Sequence, residues 1–573
     1  MEFKVIDCFT ELSHLVPEEP TFADTETDGL YLEVRTIQLY QPATSPMIYI
    51  IDTDILDLDE AKEILKPLWT VWQGANYDFG TLNMTTAKYD DTLLLARTAF
   101  PRWANMKSKS GGTAYALDTI VERLKLGYLY EGLDKKAMQK AGFVKGAYLS
   151  SAQLQYAATD VLALSEIWKH PKIQLTREVI AYKVDMLSLG YAIEYQQNNL
   201  LVNQEAVMIE IEKLIDTIAS NEEALNGLNP NSPKQVKIAL GTESSDKPTL
   251  IKLIAQGGER GNTAKLVFEQ RRLLKRRTFL YSYNFPYVTT RFNPAGAATG
   301  RFTSTGGDLP RGINAQQITR NLQYIFNSDT DDTIVIHADY STAELRAATS
   351  IMRDEEMYAE LKAGKDLHIV AASLASGLPE SQIDKGLRQK GKAVSFGKIF
   401  GQSWKSFIEF AYVTYGVVFT EQESQDIHNK YNSKYKGISA YHRRMWNEYK
   451  ESPVETPLGR KNMARLGTDA INYATQGCIA ETTKLAIHYL CKEHPEATKY
   501  IYNVVHDAAY LRVPRVDDEF TKLWANRLVV AMKKGWTEMC KRPMLFYKDI
   551  PMPIEIEYNC YDSGEAVYTV KEI

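Results

Sequence analysis

Cysteine is scarce in this chain of 573 residues: five in all, Cys8, Cys478, Cys491, Cys540 and Cys560, with no C-x-x-C pair. That excludes a disulfide framework and a cysteine-built zinc site, and it suits a reducing compartment. Long hydrophobic runs are missing as well; none approaches the ~18 uninterrupted apolar residues of a membrane span. The opening MEFKVIDCFTELSHL carries acids where a secretory signal has a basic segment and then an apolar run. The expected location is therefore the cytoplasm, with no membrane partner. Repeats and low-complexity tracts are absent. Neither sign of charge dominates, with 67 Lys and Arg against 72 Asp and Glu, a net −5. So small a balance does not exclude nucleic acid, because the distribution of charge decides partners. What is present is ordinary globular composition, 44% hydrophobic and 24% charged. It is too apolar for a disordered chain and long enough for roughly four units of ~150 residues.

The first third alternates strand and helix signals. PTFADTETDGL and TIQLYQPATSPMIYIIDT are rich in Ile, Tyr and Thr and broken by Gly and Pro, as strands are. AKEILKPLWTVW, DTLLLARTAF and residues 150–168, opened by capping serines, carry apolar residues at helical spacing. This is an α/β pattern, and the main boundary falls near Thr176. Long amphipathic helices are predicted from about 175 to 225, interrupted at GYAIEYQQNNLLVN, with a second helical block ending in EQRRLLKRRTFLYSYN. The Gly- and Thr-rich FNPAGAATGRFTSTGGDLPRG is loop or short strand. An apolar strand, TIVIHADYS, leads into a mostly helical stretch to about Lys450. A helix over 469–491 and a hairpin around YNVVHDAAYLRVP follow.

Four acids stand out in the first third. Asp24 and Glu26 lie two apart on a strand and so share a face. Asp78 sits in GANYDFG, and Asp160 follows Tyr156 by four in YAATD on a helix. Clustered carboxylates with few basic neighbours are hard oxygen ligands for Mg²⁺ or Mn²⁺. Two such ions activate a water and stabilise the leaving oxygen of a phosphodiester, and Tyr156, one turn before Asp160, can orient that water. For Asp24 and Glu26 alone, solvated strand-end acids are an equal alternative. Further on, Asp339 ends the strand of VIHADYSTAELR and Asp507 sits at the turn of NVVHDAAYLRV. Acids at adjacent strand tips can hold two ions over a triphosphate, although either alone is more often a turn former. In RQKGKAVSFGKIFG, Arg388, Lys392, Phe396 and Phe400 recur every four residues along one helix face. Two cations there can grip phosphates, and the aromatics can stack on a base or sugar. Spacing alone also suits an amphipathic core helix. Gly397 and Gly401 weaken such a helix, however, and leave room for something flat.

About the first 175 residues resemble the 3′→5′ proofreading exonuclease domain of the four-carboxylate type, with DTLLLART and ALDTIVERLKL matching as well. The resemblance implies a ribonuclease-H-like fold, Asp24, Glu26, Asp78 and Asp160 as metal ligands, and Tyr156 as the residue orienting water. It also places Leu30 beside the terminal base of a single-stranded DNA 3′ end. Gly74 stands where that family often has Asn. From about Gly190 onward the chain resembles the family-A DNA polymerases. NSPKQV, EQRRLLK, NPAGAATGRFTST, DYSTAELR, GKDLH, RQKGKAVSFGKIFG, TPLGRK, NYATQG and VVHDA occur in that family's order.

This second resemblance implies a mixed α/β and α+β multidomain protein. An exonuclease domain over 1–178 would be followed by a right-hand polymerase over 179–573. The thumb would span about 181–285, the palm about 286–347 and 460–573, and the fingers about 348–459. Each active site would use two Mg²⁺ ions, with Mn²⁺ able to substitute. The polymerase ligands implied are Asp339, Asp507 and the Tyr340 carbonyl. Arg388, Lys392 and His368 would hold the triphosphate, with Lys392 also protonating pyrophosphate. Glu344 would exclude a 2′-hydroxyl, Phe396 would pack on the deoxyribose, and Phe400 would lie near the templating base. Arg301, Asn314, Gln316, Asn472 and Gln476 would touch the primer–template minor groove, and His506 the primer terminus. The partners implied are primer–template DNA, dNTPs, a replisome helicase and a single-strand-binding protein.

Three departures from the family pattern are visible: Ala508 replaces a second acid, Phe400 a tyrosine, and Thr468 an arginine. AKLVFEQRRLLKRR sets Lys265, Arg271, Arg272, Lys275, Arg276 and Arg277 against Glu269 alone. A solvated face is the usual fate of a charge run. Ahead of polymerase motifs it is expected to lie along primer–template phosphates, Arg271 and Lys275 included. With no 5′-nuclease segment ahead of Asp24 and no large insertion in 229–271, the chain is most similar to a phage replicase and is expected to copy phage DNA.

Overall fold

Six short runs rich in β-branched and aromatic residues pair into one mixed sheet: β1 (Phe3–Val5), β2 (Pro20–Thr27), β3 (Val34–Tyr40), β4 (Ile48–Asp52), β5 (Trp69–Trp72) and β6 (Lys88–Asp91). Their spatial order is β1-β4-β3-β2-β5-β6, with β2, β3 and β4 antiparallel and β1, β5 and β6 joining in parallel. The structure is a computed structural model that describes all residues except 30–32, 107–112, 308, 561–565 and 573. The helix predicted through AKEILKPLWTVW ends at Leu65, and its second half is strand β5. Pro67 removes a helical donor, and the buried Val71 and Trp72 pack in the sheet.

Helix α1 (Thr92–Ala99) starts on Asp91, whose carboxylate accepts from the amides of Leu93 and Leu94. Helix α2 (Ser151–Trp168) starts on Ser150, with Gln153 completing a capping box. It packs on β2 and β3 and buries Ala157, Ala158, Val161 and Leu164. That contact turns Tyr156 and Asp160 toward β2.

The remainder is helical around a second sheet. After α3 (Ile180–Tyr195) come two long helices, α4 (Gln204–Ala224) and α5 (Gly258–Ser282). They run antiparallel, Gln270 donating to the Ile218 carbonyl and Arg276 pairing with Glu210. The turns and short helices between them bury a small core of Leu225, Val236, Leu240, Leu250 and Val267. Then follow β7 (Thr333–Tyr340), α6 (Ala343–Met352), α7 (Leu367–Ser376), α8 (Lys385–Ile399), α9 (Trp404–Tyr415) and α10 (Gly467–Glu493). The hairpin β8 (Ile501–Val505) and β9 (Ala508–Pro514), helix α11 (Asp518–Cys540), and strands β10 (Ile554–Cys560) and β11 (Ala566–Glu572) complete the chain. The sheet is antiparallel, in the order β8-β9-β7-β10-β11. Helix α11 covers one face, the buried Tyr340 hydroxyl donating to the Met532 carbonyl at 2.7 Å. His337 and Asp339 are on the more open face.

The two halves share buried structure. Val179 packs against both cores, and Ala295 belongs to the first although it lies far along the chain. Among the described residues, no helix is long and apolar enough to cross a membrane.

Candidate active sites

Strand β2 and helix α2 bring three acids together. One ligand oxygen each from Asp24, Glu26 and Asp160 lies within 4.8 Å of the others. A set of hard oxygens at this spacing fits a divalent ion of the Mg²⁺ class. Asp78 stands outside that trio, on the short helix Ala75–Leu82, where it is 2% exposed and accepts from the Thr25 hydroxyl at 2.7 Å. Burial, then Asp78, Asp160 and Glu26, hold the Asp24 carboxyl well above the usual range. Burial pushes Asp78 up to about 7. Both shifts describe a site short of positive charge, and a bound cation reverses them.

Tyr156 is buried one turn before Asp160, its phenol raised by burial and by that carboxylate. A second phenol was not legible in the sequence: the Tyr130 hydroxyl donates to Asp160 Oδ1 at 2.5 Å, across 30 residues with no spacing rule to connect them. Gly74 takes φ +81 as the N-cap of the Asp78 helix, its amide held by Asp91 at 3.1 Å. The expected position of Leu30 lies outside the described residues.

The second site forms where β7 and the β8–β9 hairpin end. His506 and Asp507 are the two-residue turn, and His506 has φ +56, a left-handed conformation that few side chains adopt outside constrained turns. The register sets Asp339 opposite Ala508, next to Asp507. Burial, then Asp339 and Glu344, hold the Asp507 carboxyl well above its usual range. Glu344, in the first turn of α6, pairs with Arg301 at 2.7 Å. Burial and Arg301 lower the His506 pKa.

Helix α8 borders this site. The Arg388 guanidinium is gripped by Asp366, the N-cap of α7, with Nε and Nη2 both 2.7 Å from Oδ2. Lys392 follows, half-buried. The rings of Phe396 and Phe400 lie 5.9 Å apart, and Tyr415, at the end of α9, stacks on Phe396 at 6.4 Å. Tyr415 carried no sequence signal beyond being aromatic.

One detail differs from expectation, and one adds to it. The flat group that Gly397 admits is the chain's own Phe407, since a Cβ there would stand 2.6 Å from that ring. His368 is 2% exposed with Nδ1 2.7 Å from the Ser395 hydroxyl, and burial lowers it to about 4. It packs against α8 beside the Arg388 and Lys392 stripe.

The polar side chains expected on a minor groove make contacts within the chain. Asn314 Oδ1 accepts from the Ser304 hydroxyl at 2.9 Å, and the Gln316 side chain donates to the Val504 carbonyl at 2.5 Å. Asn472 donates to the Phe400 carbonyl at 3.3 Å, and Gln476 follows one turn later on α10, half-buried.

Residues 197–556 match the family model described as DNA polymerase family A. The chain belongs to that family.

This family-A polymerase is 27% identical to DNA polymerase I of Aquifex aeolicus, over 94% of its own length and 95% of the relative's. It is 24% identical to the DNA polymerase of Mycobacterium phage D29, over 86% of each. Among solved structures, the POL domain of Pol1 from M. smegmatis, in complex with DNA primer-template and dNTP, aligns with a TM-score of 0.71 at 19% identity. That alignment covers 97% of this chain and 98% of the other, and what it shares is the fold. The enzyme is a DNA-directed DNA polymerase with a mixed α/β multidomain architecture.

In the family-A polymerase, Arg272, Lys275 and Arg276 of α5 line a groove of about 630 Å³ together with Gln317 and Asn321. Arg271 points elsewhere. Its Nε and Nη1 donate to the carbonyls of Pro230 and Ser245 at 2.7 and 2.6 Å, which pins the two turns at the tip. Arg271 and its neighbour Arg272 part in this way because helical rotation sends adjacent side chains in different directions.

Proposed function

We propose that this DNA polymerase couples primer extension to 3′→5′ proofreading in one chain and serves in the replication of phage DNA. The carboxylate trio of Asp24, Glu26 and Asp160, with Tyr156 beside it, carries the reading, because it supplies a second acidic centre apart from Asp339 and Asp507. A ribonuclease-H-like exonuclease domain over 1–178 would precede a polymerase over 179–573, with the thumb at 181–285, the palm at 286–347 and 460–573, and the fingers between.

Two Mg²⁺ ions bound at each centre supply Lewis acidity for phosphoryl transfer. In the synthesis site Asp339, Asp507 and the Tyr340 carbonyl hold them. Arg388 and Lys392 draw the triphosphate of a dNTP against α8, and Lys392 returns a proton to the leaving pyrophosphate. Glu344 occupies the space a 2′-hydroxyl would need, and Phe396 and Phe400 bound the sugar and the templating base. Arg301, Asn314, Gln316, Asn472, Gln476 and His506 face the primer–template, whose minor-groove acceptors are common to correct pairs. In the nuclease site Asp24, Glu26, Asp78 and Asp160 hold the metals, and Tyr156 orients water toward a single-stranded 3′ end. A replisome helicase or single-strand-binding protein would deliver the template. The phage assignment is supported by the similarity to a phage D29 enzyme across most of both chains.

Separation of the two activities tests this. Asp339→Ala should abolish primer extension and leave digestion of single strands intact, whereas Asp24→Ala with Asp160→Ala should do the reverse. A wild-type enzyme that extends primers but never shortens them overturns the proofreading half.

A further inference from the structure

The segment from Asn293 to Phe302 ties the two halves of the molecule together. Its outer limb is embedded in the N-terminal core. There Ala295 is 1% exposed, its amide is held by Asn293 Oδ1 at 3.0 Å, and its carbonyl accepts from Arg97 Nη1 of α1 at 2.5 Å. Its inner limb is clamped from below. The Tyr473 hydroxyl of α10 donates to the Ala298 carbonyl at 3.0 Å, and the Gly300 amide closes a turn onto Ala297 at 3.0 Å. The Arg460 guanidinium lies so close under Gly300 that a Cβ there would come within 2.6 Å of it. Arg460 is itself fixed, with both oxygens of Asp185 at 2.6 Å and Lys484 2.6 Å from the same carboxylate.

The residue after Gly300 is Arg301, paired with Glu344 beside His506 and Asp507. Only five residues separate a carbonyl held by the N-terminal half from that guanidinium, and they are pinned between the two ends. A short segment held at both ends therefore links Ala295 to Arg301. Packing alone does not call for an arginine at position 97; burial and Arg460 disfavour its charge. What its length and donor provide is the bond to Ala295.

We propose that Arg97 is a positioning residue for DNA synthesis. Through Ala295 it sets where Arg301 and Glu344 stand, so the N-terminal half tunes which primer ends the polymerase extends. This rests on the assignment of Arg301 to the primer–template made above.

Single-turnover extension of matched and mismatched primers, each ending in a phosphorothioate linkage that resists digestion, tests it. Arg97→Ala should slow matched extension about tenfold, the scale of a sub-ångström misplacement. It should also narrow the matched-to-mismatched ratio while leaving the KM for dNTP within about twofold. Arg97→Lys, which keeps a donor, should recover most of the loss. Combining Arg97→Ala with Arg301→Ala should add nothing to Arg301→Ala alone, as expected of two residues acting through one contact. Additive losses, or an unchanged Arg97→Ala alongside an impaired Arg301→Ala, overturn the proposal. An Arg301→Ala enzyme with normal extension and discrimination overturns the underlying assignment instead. If Arg97→Ala does not fold, Arg97→Gln and Arg97→Lys carry the same comparison.

Discussion

Lys398 sits on the inward side of α8, 3% exposed, with no carboxylate facing it among the described residues. Its ammonium meets the Gln402 carbonyl at 3.4 Å, His428 Nδ1 at 3.3 Å and the Phe407 ring at 4.6 Å. Burial pushes its pKa down to about 7 from 10.5. The unfolded chain keeps the proton across that interval while the folded chain has lost it. Stability therefore rises with pH between about 7 and 10.5, and the penalty is fully present below about 7. Lys398→Met should raise Tm at pH 7 by the equivalent of a few kcal/mol, since each tenfold loss of proton affinity on folding costs about 1.4 kcal/mol. The gain should fade by pH 10. Melts of both proteins at pH 7, 8.5 and 10 check this; a constant gap between them counts against it. The candidate site residues were easier to find than this one. Asp24 and Glu26 follow from strand alternation, and Asp339 and Asp507 from acids closing apolar runs. Periodicity identified the Arg388, Lys392 and Phe396 stripe of α8 but is silent on a cation buried on the opposite side.

At the scale of elements, α7 and α8 touch backbone to side chain. A Cβ on Gly391 would stand 2.0 Å from the His368 carbonyl and 2.9 Å from Ala372. Gly391→Ala should cost about 1–3 kcal/mol, the usual penalty of overpacking, and should also weaken dNTP binding, because Arg388 is held by the N-cap of the same α7. Calorimetry paired with a dNTP titration checks both; a lower Tm with unaltered binding would separate the helix contact from the site. Much at this scale was legible in advance. The serine opening α2, the apolar strand before Asp339 and the hairpin around Asp507 all formed where local chemistry pointed. What failed was the helix through Trp69–Trp72, where proline and the demands of a buried sheet prevailed over spacing. The purpose of Gly397 was half-legible: close approach was evident, but the approaching ring, Phe407, is set by the packing of α9.

At the scale of the whole molecule, least was legible, because the decisive contacts join distant residues. The carboxylate of Asp185 meets Arg460 and Lys484, all of them buried, across 275 and 299 positions. No pattern in a linear sequence announces such a pairing. Asp185→Ala removes the carboxylate that touches both buried cations, leaves Glu481 at 3.8 Å from Arg460 as the remaining acid of the cluster, and should cost about 3–5 kcal/mol. Asp185→Asn should cost less, and chemical denaturation distinguishes the two; equal stability of Ala and wild type would show that the cations are solvated. Ala295 carries a different consequence, one of timing. It completes a core whose other members end at Ile193, about a hundred residues earlier in synthesis. At ~5–20 residues per second on the ribosome, the first module waits several seconds for its final piece. During that interval the nascent N-terminal half exists with a gap where a later part of the chain will close it.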